Sequence, residues 1–379
     1  MKLLATILLS VQLAWAAMPV RSAPDPTVNS AQGPMNANHA RTMLQKRWKS
    51  AFTDTAALAK LEEVATQRPL IAGNRVTILH DGPQTMAAML DAVRGAQNHI
   101  NLETYIFDRD AVGMEFADAL MERQRAGVQV QLICDFIGTI STPSAFFEGM
   151  RSAGIQLFEF NPVNPFTRFA PWEPNQRDHR KLLVVDGKMA FTGGVNTSST
   201  YANSSLFRSK ARKSEDVGWR DTHVKIEGPA VAALQWEFLR NWDQQPLGDE
   251  GDSVYFPPLQ PAGPHLIRVL ASEPDGEPSI HQAYVLAIAS AKTSIPITCA
   301  YFIPDPQLLI ALTAAAQRGV DAKDELNIVV DDDVLGQAME QAFQEDLRLS
   351  KEVSADAWHK RSALDKVKEW AARRLEYWL

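Results

Sequence analysis

The sequence predicts an α/β fold that is built twice along one chain. Helical and strand-like hydrophobic patterns alternate through residues 51–242, which is typical of layered α/β structures. A proline-rich stretch at residues 244–265 then interrupts this alternation. After it, the same order of elements begins again at Ile267. These observations predict two related lobes joined by a linker.

The first lobe can be divided into elements by hydrophobic period and by helix-ending residues. Four apolar side chains at helical spacing make residues 84–97 an amphipathic helix, and residues 100–107 alternate as a strand. Gly127 ends a helix and precedes an apolar strand. The predicted helices are 51–67, 84–97, 113–126, 144–153 and 229–242, and the predicted strands are 76–79, 100–107, 128–135, 155–160, 182–185, 189–192 and 222–227.

The second lobe repeats the beginning of the first. Ala126-Gly127-Val128 matches Arg318-Gly319-Val320, which indicates an internal repeat of long period. After Val320 the chain passes almost directly to a closing strand and helix, so this lobe is predicted to be truncated. Its predicted elements are strands 267–270, 295–302 and 325–330 and helices 279–290, 305–317 and 334–347.

The N-terminus has the pattern of a secretory signal peptide. Lys2 precedes an apolar run at residues 3–17, and small residues follow; an uncleaved membrane anchor is the alternative. We therefore expect export.

The predicted organisation is a signal peptide or anchor in 1–23, a flexible leader and a helix in 24–70, the first lobe in 71–245, a proline-rich linker in 246–265, the truncated second lobe in 266–347 and an amphipathic tail in 348–379.

Composition excludes one class of function. The chain of 379 residues has a net charge of −7, whereas broad, nonspecific nucleic-acid binding needs a basic surface. Cys134 and Cys299 both lie in apolar, strand-like contexts, so we expect two buried free thiols rather than a disulfide. The aromatic and basic tail either lies on an anionic membrane or packs against the lobes.

Residues 177–196 are predicted to form a β-hairpin with several polar functional groups. Asp186-Gly187 is a two-residue turn of the type that favours I′ geometry between two apolar strands. His179 and Lys181 are two residues apart, so their side chains point to one face. Gly193-Gly194 allows close approach of backbone amides to a ligand, and Asn196 adds a neutral donor. Together these groups predict a phosphate site that contains a nucleophile.

At these positions the sequence resembles the phospholipase D superfamily, and within it the bacterial cardiolipin synthase-like branch. The resemblance runs from about residue 74 to 350 and implies a pair of α/β/α sandwich lobes. Its motif is His-x-Lys-x4-Asp followed by Gly-Gly-x-Asn, and a second copy of this motif is missing from the shorter lobe. The residues that carry the resemblance are 100–107, His179, Lys181, Asp186, 193–196, 219–223 and 300–306.

The resemblance implies a reaction that needs neither a metal nor another cofactor. His179 would attack a phosphodiester and form a phosphohistidine, which an alcohol or water then resolves. Lys181, Asn196 and the Gly194 amide would stabilise the charge that grows on the phosphate oxygens. Asp186 begins the turn, so it either fixes the hairpin or positions Lys181.

Supporting carboxylates are also implied by the resemblance. An acidic residue on a later strand of each lobe would orient the histidine of the opposite lobe. Asp221 occupies this position in the first lobe and Glu325 in the second, so Glu325 would serve His179. Glu103 either approaches the site from its strand or is a buried carboxylate paired with a nearby arginine.

The missing second motif leaves three hypotheses. The first is a phosphatidyltransferase or phosphodiesterase, most like a cardiolipin synthase, at the outer face of a bacterial inner membrane or in the periplasm. Its partners would be a phosphatidylglycerol-like substrate, the membrane surface and a second copy of the chain that supplies another histidine. The second is a catalytically crippled lipid-binding remnant. The third is an exported endonuclease with a single motif, which the acidic charge disfavours.

Overall fold

The computed structural model describes residues 25–162, 176–202, 219, 221–242, 252–272, 278–297, 304–323, 333–349 and 362. Several predicted features lie outside these ranges, so they stay predictions: the signal peptide or anchor at 1–23, Cys299, Glu325 and most of the tail at 348–379.

A ten-stranded mixed sheet forms the centre of the molecule. Its order is β2-β1-β3-β9-β8-β7-β4-β5-β6, and β10 pairs with β3 beside that path. The strands β4, β5 and β6 are parallel to one another, whereas β7, β8 and β9 form antiparallel pairs. The strands are β1 Val28–Ser30, β2 Gly33–Pro34, β3 Leu70–Leu79, β4 His99–Thr104, β5 Gln129–Asp135, β6 Gln156–Phe160, β7 Leu182–Val185, β8 Met189–Gly193, β9 His223–Glu227 and β10 His265–Ile267.

Helices cover both faces of this sheet, which confirms the predicted α/β/α layering. One core lies between the sheet and α3, α4 and α5, and a second core lies between the sheet and α7. The helices are α1 Ala37–Trp48, α2 Phe52–Thr66, α3 Gly82–Gly95, α4 Ala111–Arg125, α5 Ser144–Ser152, α6 Ser199–Ala202, α7 Ala230–Trp242, α8 Asp252–Tyr255, α9 Ser279–Ser290, α10 Pro306–Gln317 and α11 Asp333–Leu349.

Strand alternation decides which side chains reach each core. In β7, Leu183 packs in the core under α3 to α5, whereas Leu182 and Val184 pack in the core under α7. In β4, Leu102 joins the first core, so its neighbour Glu103 points toward α7. Both strands are buried on both faces. The sequence of β7 is accordingly apolar throughout, whereas β4 alternates apolar and polar residues.

The second lobe repeats the local geometry of the first. Two parallel strands, β11 Ser294–Pro296 and β12 Asp321–Lys323, alternate with α9 and α10. Gly127 and Gly319 end equivalent helices with positive φ values of 91° and 85°. The next residue in each case donates its N–H to a carbonyl five residues earlier. The match predicted between residues 126–128 and 318–320 is therefore also a match of conformation.

The predicted flexible leader is ordered from residue 25 onward, which corrects that part of the sequence analysis. Strand β1 pairs with the start of β3, and Leu44 and Trp48 of α1 are buried against Leu70 and Leu266. A composition rich in Pro, Asn, Ala and Gln without apolar periodicity had indicated a flexible segment, but long-range pairing holds these residues in place. Burial of these side chains offsets the conformational entropy of ordering the segment.

The boundary between the lobes also differs from the prediction. Residues assigned to a linker include α8, whose Tyr255 is buried in the core under α7. The first strand of the second lobe was predicted at residues 267–270, but the strand found there is β10 at His265–Ile267, which pairs with β3 of the first lobe. The second lobe also contacts the first through α9, which packs on α2, and through an ion pair between Lys292 and Asp54. No helix in the described ranges is both long and apolar enough to cross a membrane.

Candidate active site

The predicted hairpin is present with its predicted turn. The strands β7 and β8 pair antiparallel, with Leu182 opposite Thr192 and Val185 opposite Met189. Asp186 and Gly187 have positive φ values of 53° and 61°, as a type I′ turn requires at both central residues. The hairpin is central in the sheet, because β7 also pairs with β4 and β8 also pairs with β9. Its open end, which carries His179, is therefore held by strands on both sides.

His179 and Lys181 lie together against Tyr105, as their spacing predicted. The imidazole of His179 is tilted against the phenol ring, with ring centroids 4.6 Å apart. The Lys181 ammonium lies 5.4 Å from the centroid of the same ring and donates a 2.7 Å hydrogen bond to the His179 carbonyl. His179 is exposed, whereas Lys181 is buried. The exposed imidazole is therefore the group that a substrate reaches first.

Protonation states at this pair suit nucleophilic attack. Partial burial of the imidazole, together with the nearby Lys181 ammonium, lowers the pKa of His179 to about 4. Burial lowers the pKa of Lys181 to about 8, against the opposing effect of Asp178, Asp221 and Asp135. Near neutral pH the imidazole is uncharged and has a free lone pair, while most of the Lys181 side chains carry a proton.

Asp186 lies at the other end of the hairpin from His179. Its carboxylate accepts hydrogen bonds of 2.7–3.1 Å from the backbone N–H groups of Gln97, Asn98 and His99. Four residues of extended chain lie between it and Lys181, a span of roughly 15 Å. The geometry therefore favours the role of fixing the hairpin to the start of β4 over that of positioning Lys181.

Gly194 allows Asp221 to approach the end of β8. A Cβ atom on Gly194 would overlap with the Asp221 carboxylate, so a larger residue would displace that side chain. The Gly194 N–H donates to the carbonyl of Thr222 at 3.1 Å. This amide is therefore engaged within the protein, and its binding of a substrate phosphate stays a prediction. The negative charge of Asp221 instead raises the pKa of Lys181 and so stabilises the ammonium.

Asn196 is buried and links three segments around the site. Its carboxamide oxygen accepts from the Ile106 N–H at 3.1 Å, and its nitrogen donates to the Tyr201 hydroxyl at 2.7 Å. These bonds fix the chain just after Tyr105. An amide nitrogen carries two hydrogens, so one more donor remains in principle for a phosphate oxygen.

Several residues at the site were missed by the sequence analysis. His223 is buried, and its Nδ1 accepts from the Val195 N–H at 3.4 Å. Burial and the nearby Lys181 lower the pKa of His223 to about 3. Tyr105 and Asp178 were also not singled out as site residues. Their only signal was position, at a strand end and next to the predicted nucleophile, and such a signal does not distinguish site residues from core residues.

Glu103 is a buried carboxyl group paired with an arginine, which was one of the two roles considered for it. Its Oε1 lies 2.9 Å from Arg180 Nε and accepts from Asn241 Nδ2 at 2.9 Å. Asp178 contacts the same two donors.

In the described part of the chain, no group of three His, Cys, Asp or Glu side chains could hold a metal ion.

Comparisons with known proteins agree with this geometry. Residues 89–206, which include the whole hairpin and Tyr105, match the family model described as a cardiolipin synthase, phospholipase D-like domain. The chain is 36% identical over 264 residues to a cardiolipin synthase from Geobacillus thermodenitrificans, a match that covers 68% of this chain and 50% of that protein. The chain belongs to the phospholipase D superfamily, in its cardiolipin synthase-like branch.

A second cardiolipin synthase is also matched over half of its length. The chain is 33% identical over 254 residues to the major cardiolipin synthase of Bacillus subtilis, covering 65% of this chain and 50% of that one. The phosphatidylserine synthase of Haemophilus influenzae has a solved structure that is 12% identical, with a TM-score of 0.49, over 69% of this chain and 64% of that one. The chain thus spans about half the length of the curated relatives that it matches.

Proposed function

We propose that this chain is a phospholipase D-type phosphatidyltransferase or phosphodiesterase, most like a cardiolipin synthase, that acts through a covalent phosphohistidine. The observation that carries the proposal is that the exposed imidazole of His179 and the buried ammonium of Lys181 pack against one tyrosine ring. His179 supplies the nucleophile, and Lys181 supplies the fixed positive charge that a phosphoryl group requires.

The reaction has two steps. An imidazole nitrogen of His179 forms a bond to phosphorus while the bond from phosphorus to the leaving alcohol oxygen breaks, and that oxygen takes up a proton. In the second step an alcohol oxygen attacks the phosphohistidine, loses its proton and releases the imidazole. With phosphatidylglycerol as donor and as acceptor, the products are cardiolipin and glycerol. Lys181 stabilises the added negative charge in both transition states.

The mechanism also requires a group that donates a proton to the leaving alcohol. This sequence contains one His-x-Lys-x4-Asp motif, so a second copy of the chain would supply another His179 across a two-fold axis. That second imidazole could act as the acid only in its protonated form, which the negative charge of a bound phosphate diester would favour. The apolar N-terminal run supports export, and the aromatic and basic tail supports contact with an anionic membrane. We place the protein in the periplasm or peripherally on the outer face of the inner membrane.

The second candidate is a lipid-binding protein without turnover. The single His-x-Lys-x4-Asp motif favours it. In that case the site beside Lys181 holds a phosphate diester, and no covalent step follows. Both candidates share the same ligand chemistry, so an activity measurement is needed to separate them.

The test is the formation of cardiolipin and glycerol from phosphatidylglycerol vesicles, followed by mass spectrometry. Three proteins are compared: the wild type, His179→Ala and the control His39→Ala, whose histidine is exposed on α1 away from the site. Turnover in the wild type and in the control, lost in His179→Ala, supports the transferase. Vesicle binding without turnover in all three supports the second candidate. A plasmid-nicking assay on the same samples tests the endonuclease hypothesis.

A further inference from the structure

A buried carboxyl pair lies directly behind the predicted nucleophile. Glu103 and Asp178 are 0% and 5% exposed. One Asn241 nitrogen donates to both of them, at 2.9 Å in each case. The Arg180 Nε lies 2.9 Å from Glu103 Oε1 and 3.2 Å from Asp178 Oδ1. The two carboxyl groups therefore share two donors.

The charges of this cluster do not balance if both carboxyl groups are ionised. Arg180 is the cation that contacts both of them, and it also faces Glu237 of α7, which interacts with Arg68 and Arg240. The neighbours of Glu103 on the adjacent strands, Ile133 and Leu182, are apolar and buried. The Lys181 ammonium also interacts with Asp178, but it faces Asp221 and Asp135 as well, and Arg177 pairs with Asp135. If Glu103 and Asp178 were both ionised, these buried groups would carry more negative than positive charge, and an unpaired buried charge costs several kcal/mol.

We propose that Glu103 and Asp178 share one proton and that this carboxyl pair is the device that positions His179. The proton lies on Glu103 Oε2, which has no donor of its own among the described residues, and it is donated to the Asp178 carboxylate. Arg180 then neutralises the single remaining charge. Burial and the charge of Asp178 raise the pKa of Glu103 well above 4.5, in agreement with this state.

The pair controls His179 through the residues on either side of it. The Asp178 N–H donates to Asp135 Oδ2 at 3.0 Å, and the Arg180 N–H donates to Asp178 Oδ1 at 3.1 Å. Because Asp178 and Arg180 are held on the α7 side, the residue between them turns toward Tyr105 on the other side. Loss of the shared proton would place two like charges beside each other and loosen this segment. This positioning role rests on the proposed function, whereas the shared proton does not.

The first test measures the proton itself and needs no activity. Infrared spectroscopy of the wild type near neutral pH should show the carbonyl band of a protonated carboxylic acid, and this band should be absent from Glu103→Gln. Glu148→Gln is the matched control, because Glu148 pairs with Arg151 on the surface, and this variant should keep the band of the wild type. A wild-type spectrum without the band, or a band that persists in Glu103→Gln, would overturn the shared proton.

The second test measures positioning through the rate of the covalent step. The carboxamide introduced by Glu103→Gln would keep an oxygen for Arg180 and an N–H for Asp178, so this variant should react within about threefold of the wild type. Glu103→Ala should lose about tenfold or more in rate with little change in lipid binding, because a displacement of about 1 Å is costly. A loss in Glu103→Gln as large as in Glu103→Ala would show that an ionised Glu103 is required and would overturn the positioning proposal.

The readouts separate this inference from the proposed function. If the wild type is inactive, the infrared band and the free energy of unfolding still test the pair. A carboxyl group with a raised pKa in the folded state destabilises the fold as pH rises above 4.5 toward the folded pKa. Glu103→Gln should remove that decline, measured by urea unfolding between acidic and alkaline pH. An unchanged decline in Glu103→Gln would contradict the pair.

Discussion

The aromatic ring of Tyr105 contacts both His179 and Lys181, with the imidazole centroid 4.6 Å and the ammonium 5.4 Å from the ring centroid. One side chain thus fixes the distance between the proposed nucleophile and its fixed charge. The contact with the ammonium is of the cation–π type, which needs the face of the ring but not its hydroxyl.

Two substitutions of Tyr105 should distinguish the contribution of its ring from that of its hydroxyl. Tyr105→Phe keeps the ring and should retain most of the rate of cardiolipin formation. Tyr105→Leu removes the cation–π contact, worth about 1 kcal/mol, and frees both partners, so a loss of about tenfold or more is expected. Initial rates on phosphatidylglycerol vesicles measure both effects. Equal losses in the two variants would instead assign the role to the hydroxyl.

The pH dependence of the rate should follow the two shifted pKa values. The imidazole of His179 attacks only when it is neutral, so activity should fall as pH drops through about 4. Lys181 stabilises the transition state only when it is protonated, so activity should fall as pH rises through about 8. Rates of product formation measured below and above each of these two pKa values test this pH dependence. A Lys181→Arg variant that stays charged should lose the alkaline decline, although its overall rate falls.

Asp186 should matter for stability more than for chemistry. In Asp186→Ala three backbone N–H groups lose their acceptor, and the positive φ of this turn residue becomes less favourable. A loss of about 1–3 kcal/mol in the free energy of unfolding is expected, measured by urea denaturation. Asp186→Asn keeps an oxygen and tolerates the turn, so its loss should be smaller. A catalytic Asp186 would instead show a large loss of rate at full stability.

Local features were predictable from the sequence to a large extent. The hairpin follows from an Asp-Gly turn between β-branched strands, and both strand starts, at Leu182 and Met189, were correct. The helix-ending glycines of the repeat were also correct, because Gly127 and Gly319 act within one turn of chain. These signals need no information from distant residues.

Features that depend on distant residues were not predictable. The pairing of β10 with β3 and of β1 with β3 joins segments far apart in sequence, and proline-rich composition alone indicated a linker or a leader. One of the two shared donors of Glu103 and Asp178 comes from a third segment, α7, through Asn241. In the same way, the N–H of Gly194 donates a hydrogen bond to the carbonyl of Thr222, whereas the sequence had predicted that this N–H binds the substrate phosphate.

The most direct test of the account is detection of the covalent intermediate. Wild-type protein is mixed with phosphatidylglycerol vesicles, quenched with denaturant near neutral pH and analysed by intact-protein mass spectrometry and peptide mapping. The account predicts one phosphatidyl adduct on the peptide that contains His179, and no adduct in His179→Ala. Cardiolipin formation that continues in His179→Ala, or an adduct on another residue, would contradict the proposed role of His179.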